Sequence, residues 1–154
     1  MLINMNGTFA LTTRQVIMVV QRLDGEKLNT RTLAAWAQTK IAVPSVAWQR
    51  RRGRYNPRIY NLADLAQIRL LVRLRKAGIS MPRVRAVMAY LDRELREVLK
   101  PETQAVLIVE GWHGAIIRSP GSPDLEIPSG QLRLPLADVV KGNIETAKEA
   151  LKAA

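Results

Sequence analysis

Five arginines fall within nine residues: Arg50, Arg51, Arg52, Arg54 and Arg58. Guanidinium groups at this density suit one chemistry above others. They neutralise a polyanion, because each carries a permanent charge and a fork of donors that matches phosphate oxygens. Trp48, Tyr55 and Tyr60 interleave with them. A solvated basic loop whose aromatics turn to a core has the same composition. A second set lies upstream, where Thr30, Arg31, Ala35 and Gln38 alternate with the apolar Leu33 and Trp36. Catalysis has little to work with. His113 is the single histidine, there is no cysteine, and Asp92 and Glu94 stand two apart, a spacing that does not share a helix face. No enzyme activity, no metal and no cofactor are expected.

The basic residues need a scaffold, and the charge distribution says where it is. The chain has 154 residues and a formal net charge of +11. Residues 1–100 hold 19 Lys+Arg and 6 Asp+Glu, whereas residues 101–154 hold 5 and 7. Polyanions are therefore drawn to the first part, and the second part faces something else. The expected division is a DNA-binding domain at 1–100 and a small αβ dimerisation or partner-binding segment at 101–154. The first ten residues lack a basic stretch followed by an apolar run, and no segment approaches the roughly 20 apolar residues of a membrane span. A cytoplasmic protein is the expectation.

Local signals supply the positioning elements. Thr12 and Gln15 fit a capping box ahead of Val16, Ile17, Val19, Val20 and Leu23, and Asp24-Gly25 closes that helix. Asn29 caps a second helix, which Pro44 forbids from continuing through Val43. Two short helices joined by a turn form the unit that places its second helix in a DNA major groove. On that second helix, Arg31 either pairs with guanine or holds a phosphate, and Trp36 is either an interior anchor or a phosphate contact. Thr13 and Arg14 sit where the first helix begins and its amides can hold a phosphate. Residues 48–60 read as a β-hairpin wing with a basic tip. Asn61 caps a third helix, with Asp64 placed to complement its dipole. Ser80 caps a fourth, which runs to Pro101. Arg69, Arg73, Arg75, Lys76, Arg83 and Arg85 either extend the basic surface or are solvated helix faces. After Pro101 come three apolar β-prone runs, at 105–110, 115–118 and 131–134. One final helix from Pro135 carries Leu136, Val140, Ile144, Ala147 and Leu151 on one side.

Four pieces in this order carry a resemblance: Leu28 to Trp36, Arg58-Ile59-Tyr60 followed by Asp64, Ile68 to Leu74, and Gly78-Ile79-Ser80-Met81. Through them residues 11–99 resemble the MerR family of winged helix-turn-helix transcription regulators. Ala34 stands where that family usually has Arg, and Ala37 where it usually has Glu. Metal sensing of the family's thiolate kind is excluded by the absence of cysteine. The fold class expected is mainly α with small β content: a winged helix-turn-helix domain of four helices, then a small β-strand and helix appendage. The resemblance implies sequence-specific binding of double-stranded DNA by a homodimer. The residues expected at that interface are Thr13, Arg14, Thr30, Arg31, Ala35, Trp36, Gln38, Arg50, Arg51, Arg52, Arg54, Tyr55, Arg58 and Tyr60. Two other functions share these features. One is an antitoxin-like adaptor whose C-terminal segment binds a protein partner; the other is an excisionase-like protein that bends phage DNA.

Overall fold

The computed structural model describes residues 9–46, 57–98, 103–110, 114–118 and 132–152. Its elements run β1 (Leu11–Thr12), α1 (Thr13–Asp24), α2 (Thr30–Gln38), β2 (Ile59–Tyr60), α3 (Leu62–Lys76) and α4 (Met81–Val98). They continue with β3 (Val106–Glu110), β4 (Gly114–Arg118), β5 (Leu132–Pro135), α5 (Ala137–Val140) and α6 (Asn143–Lys152). The fold is mainly helical with two small antiparallel sheets. It divides into two compact units. One comprises residues 1–69 and 142–154, and the other residues 70–141.

The first unit is built on α1. Thr12 Oγ1 accepts from the Gln15 amide at 3.3 Å while Gln15 Oε1 accepts from the Thr12 amide at 2.9 Å, so the capping box forms as the sequence indicates. The helix ends at Gly25, whose φ of 67° is left-handed. Val16, Val19 and Val20 are fully buried on one side of it. Two features here differ from the sequence reading. Leu11–Thr12 form a short strand that pairs antiparallel with β2, Leu11 opposite Tyr60 and Thr12 opposite Ile59. Two residues are too few for any periodicity to announce a strand. The single helix expected after Pro135 is two helices, because Lys141 is extended (φ −60°, ψ 130°) and Gly142 is left-handed at φ 83°. That turn sends α6 back onto α1, where it buries Asn143, Thr146, Ala147 and Ala150.

A buried ion pair ties this unit together. Arg69 Nε and Nη2 donate to Asp24 Oδ2 and Oδ1 at 2.8 and 3.1 Å, and Arg69 Nη1 donates to Asn143 Oδ1 at 2.7 Å. The two charged side chains are 3 % and 0 % exposed. Arg69 is thus part of the interior and does not extend the basic surface. A charge this deep is tolerated because the bidentate geometry and the third bond answer most of its donors. On the surface of the same helix pair, Arg22 donates to Glu149 at 2.9 Å, an exposed contact worth little.

The second unit holds a three-stranded sheet in the order β4-β3-β5, both pairings antiparallel. Ile108 lies opposite Ile116 on one side and Arg133 on the other. Leu107, Ile108 and Val109 are all buried in the middle strand, so both of its faces are covered. Helix α4 packs on β4, and the Leu136 amide closes the connection to the sheet by donating to the Ala105 carbonyl at 2.9 Å. The turn expected at 111–114 lies outside the described residues but for Gly114.

Candidate nucleic-acid interface

Helix α2 shows how nine residues separate a packing face from an outward one. Asn29 Oδ1 accepts from the Thr32 amide at 2.7 Å, so Asn29 serves as the cap. Leu33, Trp36 and Ala37 are buried. Thr30, Arg31, Ala35 and Gln38 are exposed. Arg31, Ala35 and Gln38 follow the four- and three-residue steps that keep side chains on one helix face. α1 packs against α2, joined to it by residues 25–29.

Two residues of the expected interface are buried, Trp36 as the interior anchor its position allows. Trp36 is 4 % exposed and Tyr60 is 0 % exposed. Each has a large ring that the small first unit needs for its interior, and that need outweighs the polar edge of the ring. Burial pushes the Tyr60 phenol up from its ordinary value. The Arg58 guanidinium and the Thr13 hydroxyl oppose this, and the Asp64 carboxylate adds to it. Thr13 lies near the phenol without meeting hydrogen-bond geometry, and Tyr60 Oη and Arg58 Nε are both buried with no hydrogen-bond partner among the described residues. Arg58 is half-buried, Thr13 likewise, and Arg14 is exposed at the start of α1. These residues cluster where β2 meets the first turn of α1. Arg50, Arg51, Arg52, Arg54 and Tyr55, with Trp48, lie outside the described residues.

The route from α2 to the arginine-rich segment is anchored by Asp64. Its Oδ2 accepts from the Ser45 amide at 2.9 Å, from Ser45 Oγ at 2.7 Å and from the Asn61 amide at 2.9 Å. Asn61 Oδ1 in turn accepts from the Asp64 amide at 2.8 Å, which closes a reciprocal cap on α3. The Val46 amide donates to the Ile59 carbonyl at 3.2 Å. Ser45 and Asn61 therefore hold the two ends of residues 46–60 on one carboxylate. The sequence showed Asp64 as a dipole partner and gave no sign of Ser45, nineteen positions away. Arg69 sits between the apolar Ile68 and Leu70, but Arg73 sits likewise between Val72 and Leu74 and is only half-buried, so apolar neighbours alone do not single out the buried arginine.

Residues 27–91 match the family model described as MerR HTH family regulatory protein. The MerR match takes in α2, β2, α3 and the first half of α4, and with them the outward face of α2 and the Asp64 anchor. α1, the sheet of the second unit and α6 lie outside it. No curated protein matches the chain. Among the described residues no cluster of acidic or histidine side chains is disposed to hold a metal ion, and no helix is long and apolar enough to cross a membrane.

Proposed function

We propose that this chain is a sequence-specific DNA-binding transcription regulator, with α2 in the major groove and the arginine-rich segment at 50–58 on the flanking backbone or minor groove. The observation that carries the reading is the outward face of α2. It presents Thr30, Arg31, Ala35 and Gln38 to solvent from a helix whose opposite side is locked into the core. Arg31 lies in the first turn, the part of a recognition helix that meets base edges. A guanidinium there pairs with guanine O6 and N7, and Gln38 is of the type that pairs with adenine. Thr13 and Arg14, at the start of α1, and Arg58, beside them, serve the phosphates, which fix register without reading sequence. Trp36 and Tyr60 support these residues from beneath.

We take the bound form to be two copies on an inverted repeat, the arrangement known for the matched family. The adaptor reading rested partly on an apolar face of the last helix that a partner could cover. Of that face, α6 turns Ala147 into the first unit and leaves Ile144 and Leu151 half-buried, which narrows the motive to those two.

The test is selection of bound fragments from a random duplex pool by the purified chain, followed by anisotropy titration over a range of salt. The reading expects enrichment of one motif with two-fold symmetry, bound at least about a thousandfold tighter than random duplex. It expects affinity to fall steeply as salt rises. Absence of any enriched motif, or binding indifferent to salt, overturns it.

A further inference from the structure

Helices α2 and α3 end on the same hydrogen-bond pattern. At the end of α3, the Gly78 amide donates to the Arg75 carbonyl at 2.9 Å and the Ile79 amide to the Leu74 carbonyl at 3.2 Å. At the end of α2, the Lys40 amide donates to the Ala37 carbonyl at 3.2 Å and the Ile41 amide to the Trp36 carbonyl at 2.9 Å. Both are the paired closure whose penultimate residue must be left-handed, a position that favours glycine. Gly78 takes it at φ 85° without penalty, while Lys40 takes it at φ 60° with a full side chain. Among the described residues Lys40 is the one non-glycine with positive φ. Conformations of this kind persist where the surrounding structure enforces them, and they cluster where a side chain serves a function.

The place of Lys40 says which function. The turn drives Ile41 and Ala42 into the core and leaves Lys40 exposed. Its ammonium makes no ion pair among the described residues. Arg31 occupies the first turn of α2, and Lys40 follows its last. Nine helical residues span about 13 Å, more than the roughly 8.5 Å depth of a B-DNA major groove. A helix seated by its first turn at base edges therefore carries a cation at its far end to the phosphates of the groove wall.

We propose that Lys40 is a further DNA contact, a phosphate clamp at the end of α2 opposite Arg31. The proposal rests on the duplex-DNA reading of α2. The other role open to a lysine here is to face the negative end of the helix dipole, and the experiment separates the two. The full-length chain is compared with Lys40→Gly, Lys40→Asn and Lys40→Arg. Anisotropy is read on the enriched site and on random duplex at several salt concentrations, with thermal melting of each protein. Glycine and asparagine both accept the left-handed turn, so either keeps the fold available if the other fails. The expected result is that Lys40→Gly melts no lower than the parent, yet binds both duplexes about five-fold more weakly near physiological salt. Its logarithmic salt slope falls by about one, and Lys40→Arg keeps the parent slope. If the parent binds and the Gly and Asn variants match its affinity and slope, Lys40 only caps, and the proposal is overturned while the reading of α2 stands. If the loss falls on the enriched site alone, Lys40 reads a base, and the phosphate assignment is overturned. If the parent shows no salt-dependent binding, the reading of α2 fails and takes Lys40 with it.

Discussion

Arg31 on α2 and Arg69 on α3 are used in opposite ways. Arg31 on α2 is exposed, whereas Arg69 on α3 is buried, answered by Asp24 at 2.8 Å and Asn143 at 2.7 Å. One side chain is free to meet a ligand, and the other is part of the fold. The ends of the two helices differ in the same sense, Lys40 against Gly78. The lesson is that a count of positive residues measures attraction for a polyanion only after the buried partners are subtracted. Burial converts an arginine from a recognition group into a bracket, and the conversion requires an acid that the same interior encloses.

The largest effect should come from the bracket. Asp24→Ala strands the Arg69 guanidinium in the interior, and about 3–5 kcal/mol of stability should be lost in urea denaturation. Replacing both, as Asp24→Leu with Arg69→Met, should recover most of that loss, since an apolar pair of similar volume needs no counter-charge. A double variant no more stable than Asp24→Ala would show that the pair is not the source of the effect.

Next in size is the pair Arg51→Ala with Arg52→Ala. It should weaken binding to every duplex and lower the logarithmic salt slope by roughly one to two units. An unchanged slope would remove the arginine-rich segment from the interface. Arg31→Ala sharpens the contrast further. It should leave the melting temperature unchanged and cost about 1–3 kcal/mol at one base position, seen as relaxed preference in a repeated selection. Equal weakening on all sequences would make Arg31 a phosphate contact only.

The smallest effect concerns Tyr60. Burial raises its phenol, so the folded state holds the proton more tightly than the unfolded chain. The stability this contributes is fully present below the unfolded value near pH 10 and is lost as pH rises through the folded one. Tyr60→Phe should flatten that alkaline loss. Near neutrality it should change stability by less than about 1 kcal/mol, because it removes a hydroxyl that has no partner among the described residues. A parent and a variant with the same stability profile above pH 10 would contradict the account.

The sequence was legible where the determining contacts are local. Thr12 with Gln15 and Asn29 with Thr32 lie three residues apart, so the helix starts they fix could be read directly. Helical spacing likewise exposed the packing face of α1, where Val16, Val19 and Val20 are buried. Asp64 was half legible: its bond with Asn61 is local, its bonds with Ser45 are not. Trp36 and Tyr60 were ambiguous because an aromatic with a polar edge suits a core and an interface equally, and only the size of the surrounding interior decides. Gly142 was passed over because the apolar spacing on its two sides keeps step, hiding the break between α5 and α6. The Arg69 triad joins positions 45 and 74 residues apart, which no pattern in one chain reveals.

The return of α6 to α1 has a consequence in the order of synthesis. On a ribosome adding about 5–20 residues each second, α6 emerges many seconds after α1. Until it does, Asn143 is missing from the bracket on Arg69 and the flank of α1 that α6 covers stays bare. A chain cut or stalled before Gly142 retains every residue of the outward α2 face and still lacks part of the frame that holds it. Emergence of α6 is thereby built into the assembly of the first unit.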